Sequence, residues 1–361
     1  MGLRGKIGKI GRFPPLEASI NKVSQVHVSL LAIREADASS LSGLYTVLNL
    51  FESVIPDTLS FRAEIVAPDA LQDDGSVAGN LVQTAPGLPI PVQRKVSETP
   101  HTDVLIIPSL FPDAEGEWHT GSYPQVLEWI RKLYADETLI CSSCTGALLL
   151  AETGLLDGRE ATQHWAFEAT FRRNFPRVKL NAAKVLVVTG DGARLVMSGA
   201  SAAWHDLVLY MIARHAGPAA ARTIAKFFLL HWHSDGQSPY IIFRENTRHG
   251  DAVILTAQTW LRENSQEPSP IENVIRRSGL SERSFNRRFR KATGLTPIGY
   301  VQNLRVEAAK YELETQSTPI DEISVKIGYE DPAFFRRLFK RITGLTPSAY
   351  RRKFCVIGIH A

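Results

Sequence analysis

The chain has 361 residues, enough for two ordinary domains, and 44% hydrophobic against 22% charged residues, the balance of a chain that buries a core in water. Three cysteines exclude a disulfide scaffold, and no apolar run is long enough to cross a membrane. The net charge of +4 is unevenly spread: residues 244–361 hold about 20 Lys and Arg against about 13 Asp and Glu, and the rest about 21 against 24. A basic C-terminal segment joined to a slightly acidic one points to a polyanion partner.

Residues 1–25 read as a basic disordered tail. It carries Arg4, Lys6, Lys9 and Arg12 but no apolar run of the kind a signal peptide needs, so a cytoplasmic location is expected. Val26–Ile33 is a β-branched strand, and Leu41–Ile55 reads as an amphipathic helix through Leu41, Leu44, Leu48 and Phe51. Phe61–Ala67 alternates as a second strand. Asp103–Pro108 is a continuous apolar run, which suits a parallel strand covered on both faces. A helix over Val126–Tyr134, a strand over Thr138–Cys141 and a helix over Thr145–Glu152 follow. This alternation predicts a doubly wound, flavodoxin-like α/β domain over about residues 26–230. It closes with strands Val185–Val188 and Arg194–Met197 and with helices over Ala202–His215 and Ala219–Leu230. The polar stretch 231–250 is expected to be the linker.

From Asp251 to about residue 354 the pattern is wholly helical, and one unit occurs twice. Phe285, Phe289, Gly294, Thr296, Pro297 and Tyr300 return as Phe335, Phe339, Gly344, Thr346, Pro347 and Tyr350, each fifty positions later. Each unit is a short helix, a Gly-centred turn and a basic helix, the layout of a helix-turn-helix. Gly294 and Gly344 suit left-handed helix stops. Ser281, Thr296 and Asp331 suit N-caps, and Pro297 and Pro332 suit first helical positions.

In the first unit Phe285, Phe289 and Ala292 share one face, which leaves Arg283, Asn286, Arg287, Arg290 and Lys291 off it. Residues near the start of such a helix reach base edges, so Arg283, Asn286 and Arg287 are base-contact candidates: Arg matches guanine and Asn adenine. Arg290 and Lys291 are phosphate-contact candidates. The second unit offers Ala333, Arg336 and Arg337 to bases and Lys340 and Arg341 to phosphates. Pro332 and Ala333 cannot read bases by hydrogen bonds, so the second helix is expected to position more than it discriminates.

These two units, the connecting helix from Pro297 to about Glu314, and the run Gly-Tyr-Glu-Asp-Pro-Ala-Phe-Phe-Arg-Arg-Leu-Phe-Lys at 328–340 resemble the AraC/XylS family of transcription regulators. The resemblance implies double-stranded promoter DNA as partner, with the connecting helix holding the two reading helices about one DNA turn, roughly 34 Å, apart.

Upstream, the strand ending at Cys141 passes through Ser142-Ser143 to Cys144-Thr145-Gly146 and a helix. A thiol on such a turn, beside a helix N-terminus, is placed as a nucleophile, and His164 is a candidate base. The same residues equally fit a small buried cysteine and a structural histidine. Cys141-Ser-Ser-Cys144 has redox or zinc-like spacing, but no second Cys/His pair completes a metal site, and neither metal nor cofactor is expected.

The segment resembles the PfpI-like branch of the class I glutamine amidotransferase-like superfamily, with Cys144 at the elbow and His164 twenty positions on. Residues 151–165 and 199–207 are closer still to the GlxA-type regulators, in which such a domain precedes an AraC-type one. The acid that enzymes of the superfamily place after the first strand is missing from residues 38–43, and Glu35 and Asp37 fall too early. Thr145 stands where peptidase-like members carry His. Catalytic residues are therefore expected to be vestigial, and Cys144, Thr145, His164 and Trp165 are candidates for a ligand pocket. The resemblance implies a small nitrogen-containing effector, such as an amino acid or amine, in a homodimeric regulator. Trp165, Trp204 and Trp118 are candidate aromatic walls for a cation. A cysteine-dependent hydrolase or amidotransferase-like enzyme, or a thiol redox sensor, is the alternative.

Overall fold

The computed structural model describes residues 24–69, 80–85 and 87–355. Residues 1–23 of the expected tail lie outside these. Its last two residues, Ser24 and Gln25, are not tail: they open the first strand and pair with Leu59 and Ser60.

In chain order the N-terminal strands are β1 (Ser24–Leu31), β2 (Leu59–Ala67), β3 (Leu81–Gln83), β4 (Pro89–Pro91), β5 (Arg94–Lys95), β6 (Val104–Ile107), β7 (Leu139–Ser143), β8 (Glu160–Ala161), β9 (Lys179–Leu180), β10 (Leu186–Thr189) and β11 (Leu195–Ser198). The helices among them are α1 (Ala38–Asn49), α2 (Phe51–Val54), α3 (Pro124–Ala135), α4 (Gly146–Glu152), α5 (Glu168–Asn174) and α6 (Trp204–Phe228). The main sheet has seven strands in the order β10-β11-β7-β6-β1-β2-β5, parallel except for the hairpin β10–β11. All four side chains of β6 are fully buried, as the apolar run requires of a strand covered on both faces. The sequence direction reverses across the sheet at β1, which pairs with β2 on one side and β6 on the other. Ligand crevices of doubly wound sheets form just past the carboxyl ends of strands at such a switch. The loops after β1, β6 and β7 carry Asp37, Ser109 and Cys144 to that end of the sheet.

The expected helix over 41–55 is two helices, α1 and α2, meeting at Leu50. Asp37 sets where α1 begins, accepting from the backbone N–H groups of Ser39 and Ser40 at 3.1 and 3.2 Å. Helix α6 is interrupted at Gly217-Pro218, where Gly217 has φ 86° and ψ 161°.

The C-terminal helices are α7 (Ala252–Asn264), α8 (Pro270–Ser278), α9 (Glu282–Thr293), α10 (Pro297–Thr315), α11 (Ile320–Lys326), α12 (Pro332–Thr343) and α13 (Pro347–Phe354). They enclose two separate cores, and α10 serves both. Tyr300 and Val301 join Phe285 and Phe289 in the first core, whereas Val306, Ala309 and Leu313 join Phe335 and Phe339 in the second. The sequence repeat is thus a packing repeat. Phe289 meets Tyr300 edge-on at 5.1 Å, and Phe339 meets Tyr350 edge-on at 5.3 Å. Thr296 and Thr346 cap α10 and α13 with side-chain oxygens 3.2 Å from the N–H groups of Gly299 and Ala349. Gly294 and Gly344 close α9 and α12 with φ 79° and 78°, a conformation that suits glycine. Ser281 differs from expectation. It stands at the N-cap of α9, but its hydroxyl bonds to Ser284 Oγ and not to the helix backbone.

Candidate nucleic-acid interface and candidate ligand site

Helix α9 buries Phe285, Phe289 and Ala292 and exposes Arg283, Arg287, Arg290 and Lys291, with Asn286 half-buried. The side chains of Arg283, Asn286, Arg287, Arg290 and Lys291 make no hydrogen bond or ion pair among the described residues. Asn286, Arg287 and Arg290 line a surface groove of about 540 Å³ with Ile271 and Ile298. The intervening Arg288 is held instead against α7, donating to Asp251 at 2.9 and 2.7 Å.

Helix α12 also exposes Ala333, Arg336, Arg337, Lys340 and Arg341, but most of its cations are engaged. Arg336 pairs with Asp321 of the preceding helix. Arg337 lies 3.9 Å from Asp331, and Arg341 donates to Gln302 at 3.2 Å. The two basic helices therefore differ in more than sequence: apart from Arg288, the cations of the first face solvent with unpaired side chains, while two of the second lie beside carboxylates.

Sequence periodicity missed a residue that ties the units together. Arg305 occupies a buried position of α10, one turn after Val301, and is only 8% exposed. Its guanidinium donates to the carbonyls of Ser265, Gly328 and Glu267 at 2.6, 2.8 and 3.1 Å. An Arg four residues after a buried Val, on the apolar stripe of a helix, was the available signal.

In the N-terminal domain Cys144 sits on the turn between β7 and α4 with φ 54°, a conformation uncommon for a residue with a side chain. The turn is tight because Gly146 follows: a Cβ there would lie 2.3 Å from the carbonyl of Pro108. The thiol is 2% exposed and ringed by hydroxyls. Ser201 Oγ lies 3.5 Å away and Thr145 Oγ1 3.6 Å away. Burial pushes the thiol above its ordinary pKa, against the opposing pull of these hydroxyls.

The expected pairing of Cys144 with His164 is absent: no hydrogen bond joins their side chains among the described residues. His164 Nδ1 accepts the backbone N–H of Ala166 at 3.1 Å, which puts the proton of the neutral ring on Nε2. Burial, reinforced by the charge of Arg244, holds its pKa below the usual value. The two carboxylates after β1 are occupied elsewhere. Glu35 accepts from Tyr123 Oη at 2.5 Å, and Asp37 is spent on the cap of α1. Cys141 is fully buried and its thiol is pushed up to about 12.

Thr145 holds the turn together, with Leu110 N–H donating to its Oγ1 at 3.0 Å. Trp165 is half-buried beside His164, with ring centroids 5.4 Å apart, and the Arg244 guanidinium lies 5.8 Å from its ring. The other two candidate tryptophans make packing contacts within the domain. Trp118 is buried and donates to Glu152 at 2.7 Å, and Trp204 covers Gly43 of α1 so closely that a Cβ there would lie 2.5 Å from its ring.

Fold and surfaces together define a two-domain chain, with a doubly wound domain whose elbow cysteine is capped by hydroxyls and a helical domain with two basic helix-turn-helix units. The DJ-1/PfpI family model matches residues 28–199, and a helix-turn-helix domain model matches residues 274–353. The HTH-type transcriptional regulator CdhR of Pseudomonas aeruginosa is 27% identical over 217 residues, which is 59% of this chain and 63% of CdhR. The HTH-type transcriptional regulator GlxA of Rhizobium meliloti is 27% identical over 212 residues, 58% of this chain and 64% of GlxA. The regulatory protein SoxS of Salmonella typhimurium is 35% identical over 101 residues, 28% of this chain and 94% of SoxS. The chain thus spans a little under two thirds of the length of the first two relatives. It belongs to the AraC-type helix-turn-helix proteins that carry a DJ-1/PfpI domain.

Proposed function

We propose that this protein is a sequence-specific, DNA-binding transcription regulator controlled by a small metabolite, and that it is not an enzyme. The observation that carries the reading is the pair of basic helices α9 and α12, each packed through the equivalent two phenylalanines and exposing most of its cations. Arg283, Asn286 and Arg287 read bases, with Arg336, Arg337 and Ala333 as the lesser readers. Arg290, Lys291, Lys340 and Arg341 take phosphates. The relatives named as transcriptional regulators support the same role.

The effector is an amino-acid or amine-like molecule bound near Cys144, Thr145, His164 and Trp165. Control requires that it favour one arrangement of the protein over another. The homodimer belongs to this reading, and the exposed side chains of Phe227, Leu229 and Trp232 at and just past the end of α6 offer it an apolar surface. A cytoplasmic location accords with it. No described helix is long and apolar enough to cross a membrane.

Covalent chemistry at Cys144 finds no support in a neutral, buried thiol without a histidine or carboxylate partner. A thiol sensor at Cys141 and Cys144 is disfavoured by the same burial. The decisive experiment is selection of duplexes from a random pool, followed by binding across a range of salt. A recurring sequence with affinity that falls steeply with salt is expected. Failure to enrich any sequence, or salt-independent binding, refutes the reading.

A further inference from the structure

The stretch expected to be a linker is a fastened strap. His233 is pinned to the buried Asp206 of α6 twice, by its backbone N–H at 2.7 Å and its ring Nδ1 at 2.7 Å. Two residues on, Asp235 turns to the other domain and accepts from Lys353 of α13 at 2.7 Å. Gln237 then turns back. Its side chain is 2% exposed and buried in the N-terminal domain. There its Nε2 donates to the carbonyls of Gln163 and Lys184 at 2.9 and 3.0 Å, and its backbone N–H donates to Ala183 at 2.8 Å. Tyr240, next in the alternation, packs edge-on against Phe354 at 5.2 Å. Ile241 gives its carbonyl to Lys310 of α10 at 2.6 Å.

The seat of Gln237 lies between the two segments that build the candidate ligand site. Gln163 precedes His164. On the other side is Gly199, where a Cβ would lie 2.2 Å from the Gln237 amide, and two residues later Ser201 touches the Cys144 thiol. The amide therefore fixes the spacing of the His164 and Ser201 segments, although it comes from outside the domain that contains them. Three acceptors around Nε2 settle its orientation and leave Gln237 Oε1 buried without a partner, as is Gln163 Oε1. An orphaned buried acceptor costs free energy, which offsets part of what the donated bonds contribute.

We propose that Gln237 is the positioning residue through which the site near Cys144 and the second helix-turn-helix unit sense each other. The inference rests on the DNA-binding reading above. When the amide is seated, Asp235, Ser238 and Tyr240 are held against the ends of α12 and α13. Ser238 Cβ would lie 3.7 Å from a Cβ at Gly344, the residue that closes α12. A ligand that spreads or closes the His164 and Ser201 segments shifts the amide and with it the strap. Reciprocity requires that docking of α12 on DNA be felt at the ligand site.

That reciprocity allows a test without knowing the effector. Hydrogen–deuterium exchange is followed in the full chain, with and without a duplex selected from a random pool. In the wild type the duplex is expected to change exchange by about fivefold or more at residues 160–167 and 197–203. In Gln237→Ala, which deletes the amide, and Gly199→Ala, which evicts it, the duplex still binds and that change is lost. Bound duplex with no change at these segments in the wild type overturns the proposal, and so does a response kept in either variant. If no duplex is selected at all, the DNA-binding reading itself falls.

Discussion

Arg305 Nη1 reaches the carbonyl of Gly328 at 2.8 Å, so the helix shared by both units is bonded to the turn of the second one. Its other bonds run to Ser265 and Glu267, between α7 and α8 of the first unit. One guanidinium thus fixes how the two units are set. Arg305→Met removes three bonds from a charged group and leaves the buried Ser265 carbonyl without this partner, so a stability loss of roughly 1.5–3 kcal/mol is expected in chemical denaturation. The variant is also expected to tolerate inserted base pairs between half-sites that the wild type rejects, as read by gel mobility.

The unequal pairing of the cations on α9 and α12 has its own signature. Arg287→Ala should cost about 1–3 kcal/mol on the selected duplex and relax preference at one base pair, while Lys291→Ala should weaken all sequences alike and reduce the salt slope by about 1. Asp321→Asn releases Arg336 and should tighten binding to any duplex. If the freed guanidinium finds a phosphate, the salt slope steepens by about 0.9. Titrations at several salt concentrations check all three.

Asp251 combines a cap with an ion pair: it accepts from Ile254 N–H at 3.2 Å and holds Arg288. The Arg288 hydrogen bond keeps its carboxylate below the ordinary range. A lowered folded value means stability that is present above the unfolded pKa of about 3.9 and lost as pH falls through the folded one. Asp251→Asn keeps the cap and removes the charge. It should melt below the wild type at neutral pH, and the gap should close as pH falls below about 4.

Cys144 should alkylate slowly at neutral pH, because burial keeps it a thiol. Cys355 is half-exposed and serves as an internal reference. Iodoacetamide labelling read by mass spectrometry should modify Cys355 first at pH 7. A Cys144 rate that plateaus by pH 7 would contradict the neutral-thiol assignment.

Much of this was legible from local pattern. The fifty-residue repeat located both helix-turn-helix units, because Phe, Gly, Thr-Pro and Tyr each do a local steric task at a fixed spacing. The apolar run at 104–107 announced a covered parallel strand for the same reason. The elbow at Cys144 was legible, but its relation to His164 was not, since the ring's role depends on a hydrogen bond to Ala166 and on Arg244 approaching from a distant segment. Stretch 231–250 misled most. Its polar composition fits a linker, and only the tertiary structure supplies the buried seats that make polar side chains such as Gln237 fasteners.

The residues after the strap have a consequence for exchange of parts between regulators. Phe243 packs into the first helical core, and Glu245 holds Arg262 at 2.7 Å and accepts the hydroxyl of Tyr300. A chimera joined at residue 250, where sequence alone would cut, strips the recipient half of these groups and leaves Lys310 without the Ile241 carbonyl. A junction placed upstream of His233 carries the whole strap with the helical half but breaks its anchorage to Asp206 and to the Gln163 carbonyl. Neither cut is neutral, so a different N-terminal domain grafted onto these helices would need to bring its own socket for residue 237.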